Sequence, residues 1–264
     1  MFLVHSYFTD GFFEMAKVFV KSFAYFHTDE TPLILDSRSL RGAQVEELEG
    51  LYSGLKVFNE DFNYDKMAQK ANLTVEQLLE MKKQIENRFV SEDTRCWKLM
   101  VAGDDRVKAV YNRLFSSDFP LMLHFDIDTL FKGHMGELAE LAHNYDCTLK
   151  IREKHKIKKA RITIDLMCLR KNNAVKLWME EWIRNIDAVL PRQRPIGFGQ
   201  SSCWDAFYTH RERLAWGKLP LEYGLPGRNQ KDDKVWTGNV HKLRKDKCVG
   251  MFEEELIRQI GADS

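Results

Sequence analysis

The sequence has little of what would mark a disulfide-bonded or membrane-spanning protein. Its five cysteines are scattered and form no CxxC pair, so neither a zinc ribbon nor a disulfide framework is indicated. No apolar run approaches the roughly 20 residues that a membrane-spanning helix needs. The amino-terminal apolar run is broken at His5 and lacks a basic leader, so we expect no signal peptide. These absences predict a cytoplasmic protein with reduced cysteines.

An excess of charge of one sign is missing as well. The sequence has 40 Lys+Arg and 39 Asp+Glu, a formal net charge of +1, so the overall charge neither favours nor excludes a nucleic-acid partner. Hydrophobic residues make up 44% of the 264 residues, which excludes a low-complexity disordered chain. We find no internal repeat and no linker, and we therefore expect one domain with a sizeable core.

Hydrophobic periodicity predicts strands that alternate with helices, which is typical of a layered α/β fold. The predicted strands are Phe2–Val4, Thr31–Leu35, Leu55–Phe58, Pro120–Phe125 and Ile162–Leu169. The predicted helices are Phe12–Phe26, Val107–Leu114, Gly136–Ala142, Ala174–Val189 and Met251–Ile260. A further helix is predicted to begin at Thr74, where Gln77 completes a capping box.

A pair of carboxylates follows the nearly continuous apolar run Pro120–Phe125. Asp126 and Asp128 are spaced i, i+2, and strand alternation would direct both side chains to the same side, where they can reach one hard cation. In open α/β sheets, ligands bind at the carboxyl ends of strands. A DxD sequence alone is weak evidence. Its position after a central strand is what predicts a metal site.

A basic segment, residues 149–161, is the second informative stretch. If it is extended, alternate residues project from one face, and on that face the side chains are all cationic: Lys150, Arg152, Lys154, Lys156 and Lys158. Only Glu153 offsets them locally. Because like charges on one face repel, the pattern indicates that an anion binds there, and DNA, a phosphorylated glycan or a lipid headgroup would each fit. A solvated basic loop is the alternative.

Several segments, in the right order, resemble nucleotide-sugar glycosyltransferases of the GT-A fold, and most of all the retaining group that includes glycogenin and bacterial galactosyltransferases. The matching segments are Phe2–Asp10, Leu33–Asp36, Asp126–Asp128, Ile162–Leu169, Gly199–Gln200, Leu219–Pro220 and Trp236–Lys245. The likeness covers most of the chain. It leaves out a helical stretch near residues 64–90, which we interpret as an insertion.

The resemblance implies an α/β fold with a Rossmann-like mixed sheet flanked by helices. It divides the single domain into a nucleotide-binding half of about residues 1–131 and a sugar and acceptor half of about residues 132–250, followed by a C-terminal helix over 251–264. The implied activity is transfer of a hexose from a nucleotide sugar, with UDP as the expected nucleotide, to a hydroxyl acceptor.

The resemblance also implies roles for particular residues. Asp126, Asp128 and His241 would hold a divalent cation, and a mixed carboxylate and imidazole set suits Mn²⁺, with Mg²⁺ as the alternative. The cation would neutralise charge on the departing nucleotide. The implied donor-binding residues are Tyr7, Thr9, Asp10, Asp36, Lys98, Arg106, Asp126, Lys242 and Lys245.

Two departures from the family pattern lie on the sugar side. Ile164-Asp165-Leu166 stands where the family usually has Asn followed by small residues, and Gly199 stands where Asp usually precedes the glutamine. For a retaining reaction Gln200 is our candidate on the reactive face, with an oxocarbenium-like transition state. In an inverting variant Asp165 or Asp205 would act as general base.

Two other functions stay open at the level of the sequence. A phosphohydrolase of the haloacid dehalogenase type also places DxD after an apolar strand and would use Asp126 as nucleophile, but this motif requires Thr or Val where Leu130 stands. A glycosyltransferase fold that has lost catalysis would be a binding module. Metal-dependent hydrolysis of a nucleotide sugar would distinguish the enzyme from the module.

Overall fold

The strands meet in one large sheet, seen in a computed structural model that describes residues 1–28, 31–61, 63–71, 73–80, 105–151, 162–189, 198–223, 233–238 and 245–262. The sheet strands are β1 (Leu3–Thr9), β2 (Leu33–Arg38), β3 (Leu55–Glu60), β4 (Leu121–Asp126), β6 (Cys147–Ile151), β7 (Ile162–Arg170) and β8 (Trp216–Lys218). A separate antiparallel pair is made by β5 (Thr129–Phe131) and β9 (Val235–Thr237).

The order of the seven strands is β3-β2-β1-β4-β7-β6-β8. Among these seven, β7 alone runs antiparallel to its neighbours, β4 and β6, and the other pairs are parallel. Because β7 is reversed, its first residues lie at the same edge as the last residues of β4 and β6. That edge therefore holds the first residues of β7 and the last residues of the other six strands.

Helices flank the sheet, so the predicted architecture, a mixed sheet between helices, is confirmed. They are α1 (Phe13–Phe26), α2 (Gly42–Glu49), α3 (Tyr64–Ala71), α4 (residues 75–80), α5 (Arg106–Ser116), α6 (Gly136–Ala142), α7 (Asn173–Val189), α8 (Phe198–His210) and α9 (Lys245–Ala262). Single turns of 3-10 helix cover Asp10–Phe12 and Leu221–Tyr223. None of the helices in the described part of the chain is long and apolar enough to cross a membrane.

The helical stretch predicted near residues 64–90 begins as expected. Helix α3 occupies its start, and α4 follows Thr74, whose backbone N–H donates to Gln77 Oε1 at 2.9 Å. The Gln77 backbone N–H donates in return to Thr74 Oγ1 at 3.2 Å, so the predicted capping box is confirmed. Residues 81–90 lie outside the described residues.

The two faces of the sheet carry separate hydrophobic cores, as a layered α/β fold requires. On one face Leu3 and Met122 pack with residues of α5, α7 and α8. On the opposite face Val4 and Leu123 pack with residues of α1, α2 and α6. The four side chains predicted as the apolar stripe of α7 are all buried on the first face: Val175, Trp178, Trp182 and Ile186.

The C-terminal helix α9 closes a third, smaller core. Phe252 packs there with Met15 of α1, Leu130 of β5 and Trp236 of β9. The helix begins at Lys245, six residues before the predicted start at Met251. This packing fixes the strand β9 beside the residues that follow β4, which positions the end of the DxD segment.

Candidate active site

Polar residues of three adjacent strands lie side by side at the carboxyl edge of the sheet. Tyr7 of β1 is the register partner of Asp36 on β2 and of Asp126 on β4. Register partners project from the same face of a sheet, and α5 covers this face. Asp126, Tyr7 and Asp36 therefore form a row beneath α5.

The row continues onto β7 and β6. Phe125 pairs with Leu166, so the next residues outward, Asp126 and Asp165, are neighbours across the two strands. Lys150 of β6 then donates from Nζ to Asp165 Oδ2 at 2.9 Å. Five strands thus contribute one titratable side chain each to the same row.

Asp126, the first carboxylate of DxD, is bound by Arg106 at the start of α5. Arg106 Nη1 donates to Asp126 Oδ1 at 2.6 Å. Burial raises the pKa of Asp126, Arg106 opposes that rise, and Asp165 adds to it. Arg106, which we predicted as a donor contact, therefore lies directly beside DxD.

Asp128 lies in the bend between β4 and β5, and its residue surface is 9% exposed. The backbone N–H of Gly238, just after β9, donates to the Asp128 carbonyl oxygen at 2.6 Å. A Cβ added to Gly238 would lie 3.2 Å from that oxygen, so the two backbones are closely packed. Within the described ranges no three His, Cys, Asp or Glu side chains converge as a metal site, and His241 is not among the described residues.

Lys150 and Asp165 form a buried ion pair, and this corrects the predicted place of Lys150. We predicted it on an exposed cationic face, but both side chains are only 9% exposed. The reason is a register shift between Leu149, which pairs with Met167, and Lys150, which pairs with Thr163. Such a bulge redirects the side chain, here onto the face that carries Asp165.

Asp165 has one oxygen with a partner and one without. Lys150 occupies Oδ2, while Oδ1 is buried and has no hydrogen-bond partner among the described residues. Asp165 was a candidate general base for an inverting reaction. Neither of its oxygens is open to an acceptor hydroxyl in this arrangement.

Asp36 lies in the same row, and its carboxylate is bound by protein side chains. It is 3% exposed and forms a bidentate pair with Arg113 of α5, with both distances 2.8 Å. Its predicted contact with the nucleobase or ribose stays a prediction. His5 Nε2 lies 2.9 Å from Asp36 Oδ2. Burial acts to raise the pKa of Asp36, but the hydrogen bonds from His5 and Arg113 outweigh it and hold that pKa below its ordinary value.

The Asp36 network extends into the core through a pair of histidines. His5 Nδ1 lies 2.9 Å from His124 Nδ1, so the two rings share one hydrogen. Burial, with the charges of His5 and Arg106, lowers the pKa of His124 well below its ordinary value. We predicted His124 as a satisfied core histidine; its burial is confirmed, while its Nε2 has no partner in the described chain.

Asp105, immediately before α5, is a site residue that the sequence analysis missed. Its Oδ2 accepts hydrogen bonds from Tyr7 Oη at 3.2 Å and from Arg38 Nε at 2.8 Å. Burial and Asp105 raise the pKa of Tyr7 well above its ordinary value, so the phenol keeps its proton and donates it. The sequence signal was only an aspartate before a helix, which predicts a cap and no more.

The other predicted residues have these positions. Thr9 ends β1 and Asp10 begins the 3-10 turn after it, both partly buried. Gln200 lies in the first turn of α8, beside Gly199, whose carbonyl accepts a hydrogen bond from Trp182 Nε1 at 3.1 Å. Within the described part of the chain no hydrogen bond joins Gln200 to Asp126.

The remaining predictions fall on residues that the structure does not describe. These are Lys98, Arg152, Lys154, Lys156, Lys158, His241 and Lys242. The side chain of Lys245, the first residue of α9, is likewise outside the description. The roles assigned to these residues stay predictions.

Solved structures share this architecture, although no protein-family model and no curated protein matches the sequence. The galactosyltransferase LgtC in complex with donor and acceptor sugar analogues superposes with a TM-score of 0.53 at 11% identity, covering 96% of both chains. An active-site Gln-to-Glu mutant of LgtC gives 0.52 at 10% identity, over 97% of this chain and 96% of that one.

Mouse xyloside xylosyltransferase 1 in its apo form gives a TM-score of 0.51 at 11% identity, over 92% of this chain and 99% of that one. At sequence identities of 10–11%, these likenesses show the fold alone. The chain therefore has the GT-A glycosyltransferase fold that its sequence motifs predicted.

Proposed function

We propose that the protein is a metal-dependent, retaining glycosyltransferase that transfers a hexose from a UDP-sugar to a hydroxyl acceptor. The observation that carries this proposal is the position of the DxD segment. Asp126 ends the central strand β4, and Asp128 follows it against the backbone of Gly238. In an open α/β sheet this edge is where ligands bind.

We assign the metal to Asp126, Asp128 and His241. The two carboxylates supply hard oxygen ligands, which suit Mn²⁺ or Mg²⁺, and an added imidazole favours Mn²⁺. Gly238 is held at Asp128 by a 2.6 Å hydrogen bond, and His241 is the third residue after it in the chain. Three residues allow a reach of about 10 Å, enough to bring the imidazole to Asp128. When bound, the cation would neutralise charge on the diphosphate.

The nucleotide side of the site is assigned to the ends of β1 and α5. Thr9 and Asp10 follow β1 at the carboxyl edge, and Arg106 lies at Asp126 with its guanidinium partly exposed. Arg106, Lys98, Lys242 and Lys245 are the cations that we assign to the donor phosphates, because guanidinium and ammonium groups form strong charge-assisted hydrogen bonds with phosphate oxygens.

The sugar side favours Gln200 over Asp165 as the group on the reactive face. Lys150 occupies one oxygen of Asp165 and the other is buried, so this carboxylate is poorly placed to accept a proton from an acceptor. An inverting reaction needs a base on the sugar face opposite the leaving group, to deprotonate the acceptor. A retaining reaction does not need a base at that position. This supports the retaining outcome.

We propose that the acceptor is anionic, because the sequence has a basic segment. The cations of this segment that stay candidates for acceptor binding are Arg152, Lys154, Lys156 and Lys158. Lys150 does not contribute, because its charge is used by Asp165. In the sequence the remaining cations follow β6, a strand that ends at the edge that holds DxD. DNA with hydroxylated bases and a phosphorylated glycan both provide the anion and the hydroxyl.

The test is turnover of a panel of UDP- and GDP-sugars with Mn²⁺. We expect Asp128→Asn and His241→Gln to lower donor-dependent turnover by roughly 100-fold or more while thermal unfolding stays cooperative. The matched controls are Asp118→Asn and His143→Gln, two exposed residues away from this edge, which should retain full turnover. Binding of a nucleotide sugar without any turnover would instead establish a binding module.

A further inference from the structure

The Asp105 carboxylate is held from below by two buried side chains. Tyr7 and Arg38 both donate to the same oxygen, Oδ2. Arg38 is fixed in turn, since its Nη1 donates to the Ser37 carbonyl at 2.9 Å and its Nη2 lies 3.4 Å from Glu60. A carboxylate with its supports locked in this way keeps one orientation, which is a requirement for a precise binding contact.

The second oxygen of Asp105 is available. The Asp105 side chain is 37% exposed, whereas the Arg38 side chain is 9% exposed and Tyr7 is 6% exposed. No group in the described part of the chain donates to Oδ1. An ionised carboxylate only accepts hydrogen bonds, so Oδ1 is an acceptor on a partly exposed side chain whose other oxygen is held by two buried residues.

The position of Asp105 relates it to the donor. Tyr7, which holds it, is the register partner of Asp126, and Arg38 lies at the end of β2, on the far side of β1 from β4. Two strand spacings amount to about 10 Å. The proposed function assigns the diphosphate to DxD and the nucleotide to the ends of β1 and α5. With that assignment, the part of the donor that reaches Asp105 is its nucleoside.

We propose that Asp105 selects the donor nucleoside by accepting one hydrogen bond at Oδ1, with Tyr7 and Arg38 as its positioning residues. The inference rests on the proposed function. The nucleoside would supply a single hydrogen-bond donor, either the N–H of a ring nitrogen of the base or the O–H of a ribose hydroxyl. A polar group of this kind discriminates strongly against an analogue that lacks the donor, because the carboxylate is then left unpaired.

The experiment is calorimetric titration of UDP in the presence of Mn²⁺, beside two analogues that each remove one donor. The first, N3-methyl-UDP, lacks the ring N–H, and the second, 2′-deoxy-UDP, lacks a ribose hydroxyl. The wild-type protein should bind one of the two at least about ten-fold more weakly than UDP. The analogue that loses affinity identifies whether Asp105 contacts the base or the ribose.

Asp105→Ala should bind UDP and that analogue with equal, reduced affinity. Tyr7→Phe keeps the ring and removes only the donated hydroxyl, so we expect it to fold normally and to show a smaller loss of discrimination. Asp118→Ala, in the exposed turn between α5 and β4, is the control and should discriminate like the wild type.

Two results would overturn the inference. If Asp105→Ala keeps the wild-type ratio between UDP and both analogues, Asp105 does not contact the nucleoside, and the proposed function is unaffected. If the wild-type protein binds neither UDP nor GDP, the nucleotide-sugar function and this inference fail together.

Discussion

Lys150 and Asp165 lie 2.9 Å apart, Nζ to Oδ2, at the boundary between β6 and β7, and each side chain is only 9% exposed. A buried charge is costly when its partner is removed. The stability of this edge of the sheet, next to Asp126, therefore depends on both charges of the pair being present.

We predict that Lys150→Met lowers the free energy of unfolding by about 3–5 kcal/mol, because it leaves the Asp165 carboxylate buried without its cation. The double variant Lys150→Met/Asp165→Leu should recover most of that loss, since an apolar pair of similar volume has no charge to desolvate. Urea denaturation measures both. Lys108→Met serves as control, because its pair with Asp187 is much more exposed; an equal loss there, or no recovery in the double variant, would argue against a buried-charge effect.

Asp36 provides a prediction with a defined pH window. Its pKa is lowered in the folded protein, so its stabilising contribution is complete above the unfolded pKa of about 4 and is lost as pH falls through the folded value. Asp36→Asn should therefore cost about 3 kcal/mol or more at pH 7 and about the same at pH 5. The cost should shrink below pH 4.

Chemical denaturation of the wild type and Asp36→Asn at pH 7, 5 and 3.5 measures this difference. Glu181→Gln is the control, since Glu181 pairs with the largely exposed Arg184 and such surface pairs contribute little. A cost of Asp36→Asn that does not change between pH 7 and pH 3.5 would mean that its charge is not what stabilises the network.

Gly238 gives a prediction about the DxD segment that does not alter any proposed ligand. A Cβ there would lie 3.2 Å from both the Asp128 carbonyl oxygen and Phe252 Cζ, so the neighbouring chain has to shift by a few tenths of an ångström. Gly238→Ala should lower donor-dependent turnover several-fold and reduce metal affinity, measured by Mn²⁺ titration.

The matched control for Gly238 is Gly250→Ala in helix α9. A Cβ at Gly250 meets nothing within 4 Å, and replacing a helical glycine by alanine stabilises by about 0.5–1 kcal/mol. Gly250→Ala should therefore raise thermal stability without changing turnover. Equal turnover in both variants would show that the backbone at Asp128 tolerates displacement.

The basic segment predicts how acceptor binding depends on salt. A polyanionic acceptor such as DNA should lose affinity steeply as salt is raised, because bound counterions are released when Lys and Arg neutralise its phosphates. Replacing Lys154, Lys156 and Lys158 with Ala should flatten the slope while donor hydrolysis persists. Replacing Lys150, which is paired inside the protein, should leave the slope unchanged. If the triple variant keeps the wild-type slope, the segment is only a solvated edge.

The sequence was most informative where a pattern is local. The capping box of Thr74 and Gln77 forms as predicted, and the apolar stripe of α7 is buried as predicted. The DxD segment also follows a central strand, because the apolar run before it has the length and composition of a strand buried on both faces.

The strands were predicted too short where they carry buried polar residues. The first predicted strand stops before His5 and the second before Asp36. In the structure β1 continues to Thr9 and β2 to Arg38. These polar groups are tolerated inside because each has a partner: Arg113 of α5 and His5 bind Asp36. Farther along the same two strands, Asp105 binds Tyr7 and Arg38. Their partners are far away in the sequence, so a single-sequence reading interprets a buried polar residue as the end of a strand. The inward position of Lys150 was missed because one shift in register reverses which face a side chain occupies.

The pairing of β5 with β9 has a consequence for synthesis of the chain. Asp128 leaves the ribosome long before Val235 and Gly238, the residues that complete the strand pair and contact the Asp128 backbone. Contacts between segments this distant in sequence form late in folding. A nascent or truncated chain that ends before β9 carries both DxD carboxylates but lacks the backbone that packs against the second one. We therefore expect the proposed donor turnover only from a chain that extends past Gly238.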